Sequence, residues 1–256
     1  MGDRVIALTR AVSPSIVRCE LTHIGREPID LELAYAQHAR YERALADAGC
    51  TIEHVGGGED LPDGVFVEDI AIVFDEVAIV TRPGAASRRA ETPSVVRALT
   101  PHRPLAFIDA PATIDGGDVL VVGRRVFVGR SSRTNDAAVA QMRSRLEPHG
   151  YTVCTVPVHR CLHLKSAATA LDDHTLLANP AWLDGRPFGD LELVPVAPSE
   201  PGAANVARVG DRILCASAFP ETRRMLERRG VPLVALDMTE LAKAEGAVTC
   251  CSLILM

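Results

Sequence analysis

The chain has 256 residues, with 27 Lys plus Arg against 33 Asp plus Glu and a net charge of −6. That balance argues against a basic stripe for nucleic-acid phosphates, and 47% hydrophobic with 23% charged residues leaves no room for long disorder. No apolar run approaches the roughly 20 residues of a membrane helix, and the start MGDRVIALTR has no signal-peptide h-region, so a cytoplasmic protein of one domain over residues 1–256 is expected.

In chain order, RVIALTRAV is strand-like, and residues 32–47 have the apolar spacing of a helix that stops at Gly49. CTIEHV follows as a strand. The run Gly56-Gly57-Gly58 leads into Glu59-Asp60 and reads as a loop, not a phosphate cradle. IAIVFDEVAIV (70–80) is the first apolar run folded back across a short polar turn, the pattern of a β-hairpin. After the strand PLAFI (104–108) comes a second such run, DVLVVGRRVFVG (118–129), then a helix over 135–149 capped by Asn135. YTVCTVPV precedes a third hairpin, AATALDDHTLLA (167–178); LELVPV precedes a fourth, NVARVGDRILCA (205–216). A helix over 221–229, the strand VPLVAL and the strand-like TCCSLILM complete the chain.

The hairpin turns centre near residues 75, 124, 172 and 210, at intervals of about 49, 48 and 38, which marks a repeated unit of hairpin, helix and strand. Pairing of the two terminal strands would supply a fifth hairpin and remove the exposed sheet edges of an open array. The expected fold is therefore α/β, a five-fold pseudosymmetric propeller closed by its N- and C-terminal strands. An open doubly wound sheet is the alternative, disfavoured because no GxGxxG is present and the hairpins require antiparallel pairing.

In a closed ring the strand ends facing the axis converge, so polar clusters at those ends are the site candidates. They are Glu68 and Asp69 in FVEDI, Asp115 and Asp118 around two glycines, His163 with Lys165 and Ser166 in LHLKSA, and Cys250 with Cys251 in TCCSL. The glycines of TIDGGDV are read as permitting a positive-φ bend. The seven cysteines are odd in number and lack any CxxC, which excludes a complete disulfide framework and a zinc ribbon. A thiol nucleophile needs a neighbouring acid or base, and that histidine needs a group to orient it. Cys250, His163 and Asp115 meet that need if the ring brings them together.

FVED, RPGAxSRR (82–89), DGGDVL, RTN (133–135), LHLKS and TCCS, in that order and spacing, resemble the dimethylarginine dimethylaminohydrolases, members of the guanidino-group-modifying amidinotransferase superfamily. The resemblance spans essentially the whole chain and implies a five-bladed, pentein-type α/β propeller. It implies conversion of asymmetric dimethylarginine or monomethylarginine to citrulline with release of dimethylamine or methylamine. Cys250 would be the nucleophile, His163 the proton donor and then acceptor, and Asp115 the residue that holds His163. Glu68 and Asp69 would grip the guanidinium, Asp63 would place the amino acid, and Arg88 and Arg133 would meet its carboxylate. Leu21, in the loop 19–29, would offer backbone contacts as part of a lid, and Ala244 its carbonyl. There the family's usual Val-Asp-Gly reads Ala-Glu-Gly, so Glu245 replaces an aspartate.

Adjacent strand residues point to opposite faces, so only one cysteine of the pair can enter a site; the motif selects Cys250 and leaves Cys251 for packing. Zinc at Cys250 is expected as an inhibitor and not as a structural ion. Several carboxylates around one thiol should also raise its pKa in the empty site, making deprotonation substrate-assisted. No cofactor is called for. The partner is a small methylated arginine, with no nucleic acid or membrane, and the assembly a monomer or homodimer. The alternatives are an arginine or other guanidino-compound deiminase and a noncatalytic propeller that binds a partner.

Overall fold

Burying one face of each short apolar run sets the architecture. In a computed structural model, residues 5–256 are described, so Arg4 of the RVIALTRAV run lies outside the described residues. The chain begins with β1 (Ile6–Thr9), α1 (Leu31–Asp47) and β2 (Thr51–His54), β2 lying parallel to β1. Each hairpin expected from sequence then becomes an antiparallel pair, extended by a third, parallel strand. These are β3 (Ala71–Val73) and β4 (Ala78–Val80), followed by α2 (Thr92–Leu99) and β5 (Leu105–Phe107). Next come β6 (Val119–Val122) and β7 (Arg125–Arg130), α3 (Asp136–Leu146) and β8 (Thr152–Pro157). A one-turn α4 (Leu164–Ala167) leads into β9 (Ala168–Ala170) and β10 (Thr175–Ala178), with β11 (Glu192–Pro195) beside them. The last full repeat is β12 (Val206–Val209), β13 (Arg212–Ala216), α5 (Pro220–Arg228) and β14 (Leu233–Leu236). After the one-turn α6 (Thr239–Ala242), β15 (Ser252–Leu255) pairs antiparallel with β1, Leu253 opposite Leu8. The terminal strands thus make the fifth sheet, as the repeat arithmetic requires.

Local chemistry accounts for the crossovers. Asp30 caps α1 by accepting the Leu33 N–H at 3.1 Å, and Asn135 caps α3 through the Ala138 N–H at 3.1 Å. Gly49, at φ +98°, ends the first of these helices. Helix α2 is not marked by the sequence pattern, since its eight residues offer only Val95 and Leu99 as fully buried apolar anchors. The fourth repeat has no crossover helix. A 3-10 turn at Pro180–Trp182 and an irregular segment reach β11 instead, which explains the short interval of the hairpin spacing.

Five clusters of buried apolar side chains seal the five seams between neighbouring sheets. Tyr41 and Leu45 of α1 pack with Leu214 and Leu236, which closes the seam between the last repeat and the first. Each fully buried aliphatic side chain in such a seam contributes about 1.5–3 kcal/mol. The first strands of the hairpins and β15 face the axis and line a cavity of about 240 Å³. Among the described residues no helix is long and apolar enough to cross a membrane.

Candidate active site

The repeat places one polar residue just ahead of every axial strand. Asp69 precedes β3, Asp115 precedes β6, His163 precedes α4 and β9, Asn205 precedes β12 and Cys250 precedes β15. At one end of the ring they converge on a tight pocket of about 20 Å³ that includes Asp63, Asp69, Arg88, Asp115, Arg133, His163, Ala244 and Cys250. Asn205 lies one layer behind, its amide bonded in both directions to Thr249, beside Cys250, at 3.0 and 3.1 Å.

His163 is buried and held from both ring nitrogens. Its Nε2 lies 3.1 Å from Asp115 Oδ2, and its Nδ1 lies 3.8 Å from Asp69 Oδ1. Asp115 Oδ1 accepts the Gly84 N–H at 2.8 Å, and Asp69 Oδ1 accepts the Gly117 N–H at 2.9 Å, so both carboxylates are themselves fixed. The other oxygen of Asp69 pairs with Arg88 Nη1. Arg88 is buried and forks onto Glu91, with Nε to Oε1 and Nη2 to Oε2 both at 2.9 Å. Asp118 braces the same end: it accepts the Leu164 N–H at 3.0 Å and the hydroxyls of Thr134 at 2.6 Å and Ser131 at 2.5 Å.

The two glycines of the DGGD turn serve close approach, not a left-handed bend, since neither has positive φ. A Cβ on Gly116 would lie 1.9 Å from the Glu68 carbonyl oxygen. One on Gly117 would lie 2.5 Å from His163 Nδ1 and 2.9 Å from Asp69 Oδ1. Gly116→Ala is therefore expected to lose more than about 4 kcal/mol of stability, read as a collapse of Tm. Gly117→Ala should lose less stability but about a hundredfold in turnover, because the methyl displaces the imidazole. Equal effects of the two on Tm and turnover would contradict this division.

The electrostatics follow from burial beside carboxylates. Burial, then Glu68 and Asp69, push the Cys250 thiol up to about 12. Burial alone would lower His163, but Asp69, the hydrogen bond from Asp115 and the charge of Asp118 outweigh it and carry the imidazole to about 9. Burial likewise opposes ionisation of Asp69, yet His163 and Arg88 bring it down to about 2. For Asp63, burial outweighs Arg88 and the carboxyl rises to about 6. At neutral pH the empty pocket therefore holds a neutral thiol and an imidazolium. The ultraviolet thiolate signal lost on Cys250→Ser should accordingly appear only well above pH 9, toward about 12. A midpoint below neutrality would contradict the arrangement.

Ligand atoms of Asp69, Asp115 and His163 lie within 4.8 Å of one another, so the trio has the spacing of a cation site. A metal there would have to displace the imidazolium proton and compete with Arg88 for Asp69.

Of the ten residues to which the resemblance gives a catalytic or binding role, eight line this pocket; Leu21 and Glu68 do not, nor do the other strand-end candidates Asp118, Lys165, Ser166 and Cys251. Leu21 is partly buried against the seam of α1. Glu68 lies in the 3-10 turn Val67–Ile70, where successive side chains diverge, and its carboxylate faces the axial cavity. There it meets Lys165 Nζ and the Thr249 hydroxyl, each at 2.7 Å. Glu20, Phe66 and Leu162 also line the pocket; Phe66 opens the FVED motif and Leu162 the LHLKS motif, with no role assigned to either, and no local pattern marks Glu20. The cysteine pair separates as expected, Cys251 fully buried and Cys250 on the pocket, but in a turn ahead of β15 and not by strand alternation. All seven cysteines are free thiols.

A sequence profile described as "N,N dimethylarginine dimethylhydrolase, eukaryotic" matches residues 24–170. The N(G),N(G)-dimethylarginine dimethylaminohydrolase of Streptomyces coelicolor is 43% identical over 247 residues, 96% of this chain and 95% of that protein. The enzyme of the same name from Pseudomonas aeruginosa is 35% identical, covering 91% of each chain. A structure of a cysteine-to-serine mutant of the Pseudomonas aeruginosa protein, complexed with citrulline, superposes with a TM-score of 0.92 at 33% identity, covering 97% of this chain and 98% of that one. With relatives this similar over almost its whole length, the chain belongs to the dimethylarginine dimethylaminohydrolase family.

Proposed function

We propose that this chain hydrolyses asymmetric dimethylarginine and monomethylarginine to citrulline, releasing dimethylamine or methylamine. The observation that carries the reading is the meeting of Cys250, His163, Asp115 and Asp69 in one buried pocket. A guanidinium is a planar, permanent cation, and the ionised, rigidly held Asp69 is the matching acceptor. Its arrival offsets the negative charge that holds the Cys250 proton, so the thiol ionises as substrate binds. The thiolate attacks the central guanidinium carbon, and His163, already an imidazolium, protonates the departing methylamine. That leaves a cationic S-alkylthiouronium and a neutral His163. The imidazole then takes a proton from water, whose oxygen adds to the same carbon. The C–S bond breaks, the adduct's hydroxyl proton passes to the departing sulfur to restore the Cys250 thiol, and the ureido group of citrulline remains. The proton the thiol gave up on substrate binding ends on the released amine. Water is the only co-reactant the balance requires.

Asp115 keeps His163 in register, Asp63 receives the α-amino group, and Arg133 with the remaining donor capacity of Arg88 receives the carboxylate. Glu68 acts on the thiol by charge from the axial side, while Leu21 and Ala244 contribute backbone at the rim. Every blade supplies a residue to the site or to its support, so the whole ring is the catalytic unit. The net charge of −6 suits a small cationic substrate and not a nucleic acid. Incubation with asymmetric dimethylarginine, monomethylarginine and arginine, scoring citrulline against dimethylamine, methylamine and ammonia, tests the reading. Citrulline with the methylated amines supports it; ammonia from arginine as the dominant release overturns it in favour of a deiminase.

A further inference from the structure

Residues 19–30 run from the 3-10 turn Pro14–Arg18 to α1, with Glu20 lining the pocket and Thr22 and His23 bonded to pocket residues. Connections from several blades tie this loop down. The Glu20 N–H donates to both oxygens of Asp63 at 3.2 Å, and the Ser87 hydroxyl donates to Glu20 Oε1 at 2.5 Å. Arg133 Nη2 donates to the Thr22 hydroxyl at 2.8 Å. The shortest backbone ties come from Glu245, whose two oxygens accept the Thr22 N–H at 2.7 Å and the His23 N–H at 2.6 Å.

Beneath the loop the pocket has about 20 Å³, room for roughly one water molecule. That space is tight for an amino acid, and the loop tied to its walls is the element whose movement would widen it. Glu245 stands five residues ahead of Cys250 and forms part of the pocket wall, yet both its carboxylate oxygens are turned to the loop. Its backbone adopts φ +57°, the left-handed region that disfavours a residue with a long side chain. A strained backbone that aims a carboxylate at two consecutive amides is the geometry of a fastening.

We propose that Glu245 is the latch of the loop 19–30, a positioning residue that sets how readily the site opens over Cys250. Opening breaks both charge-assisted bonds together, and the freed carboxylate is rehydrated at the rim, which keeps the step reversible. The proposal rests on the reading that chemistry occurs beneath this loop, but its test does not need turnover.

Two variants separate the latch from a general loss of structure. Glu245→Gly suits φ +57° and removes the carboxylate, while Glu245→Gln keeps the side-chain length and removes the charge and one acceptor. In substrate-free protein, exchange of the Thr22 and His23 amides should speed about tenfold or more in Glu245→Gly and less in Glu245→Gln, with α1 amides such as that of Tyr41 unchanged. Iodoacetamide labelling of Cys250, followed by peptide mass spectrometry, should accelerate in the same order. Where turnover is measurable, KM should rise more than kcat falls. Unaltered exchange at Thr22 and His23 in Glu245→Gly overturns the latch, as does acceleration spread equally over the α1 amides. Either result leaves the assignment of the reaction untouched, and absence of citrulline formation leaves the latch untouched.

Discussion

Replacing Cys250 by serine is expected to lower citrulline formation by about a thousandfold or more, while thermal stability stays close to that of the parent. Serine is smaller than cysteine and retains an acceptor for the Ala247 N–H, which lies 3.4 Å from Cys250 Sγ. The hydroxyl is a far weaker nucleophile, and the carboxylates around it oppose its ionisation further. The adjacent thiol is the control. Cys251 is fully buried in the seam around α1 and its Sγ lies 3.7 Å from the Ala247 carbonyl oxygen. Cys251→Ala should therefore keep most of the turnover and cost about 1 kcal/mol of stability. Citrulline assays and melting curves on both variants decide the matter. Native turnover by Cys250→Ser would move the nucleophile elsewhere.

The second large effect is expected at Asp115. The carboxylate lies 3.1 Å from His163 Nε2 and contributes to holding the imidazole up at about 9, against burial. Asp115→Asn keeps the shape, removes the charge and accommodates the wrong tautomer. Turnover should fall by about two to four orders of magnitude. The pH dependence carries a sign. His163 must be protonated to release the amine, so activity is lost as pH rises through its pKa, and the variant's alkaline limb should move to lower pH. Stability follows the same linkage. A group whose folded pKa lies above its ordinary 6.5 stabilises fully below 6.5, and that contribution is lost as pH rises through about 9. The stability difference between the parent at pH 6 and at pH 9.5 should thus shrink in Asp115→Asn. An unmoved alkaline limb, measured as kcat against pH, would separate His163 from the amine-release step.

Of the fold, the hairpins were legible because each buries one face of a short alternating or continuous apolar run, a local property. Helix α1 was legible through its apolar spacing and the stop at Gly49, and α3 through its spacing and the Asn135 cap, whereas the Asp30 cap of α1 came only with the structure. Helix α2 was not, because two buried apolar residues in eight leave too faint a period. The missing helix of the fourth repeat left a trace only as a shortened interval. Of the candidate site, the grouping of Cys250, His163 and Asp115 in one pocket was legible because chemistry restricts which residue types can work together, and the repeat puts them at equivalent strand ends.

What the amino-acid sequence determined by itself was therefore the repeating unit, the closure by terminal strands and three residues, Cys250, His163 and Asp115, that the ring brings to one pocket. Only the tertiary structure decided where side chains within those motifs point. Glu68 and Asp69 are neighbours in one 3-10 turn, yet one joins Lys165 on the axis and the other meets His163 and Arg88. Gly116 and Gly117 are required by backbone and imidazole atoms from other repeats, and Glu245 finds its partners more than 200 positions away. The physical reason is the same in each case. Burial periodicity is set by near neighbours along the chain, whereas a partner across the ring is set only when the ring has closed.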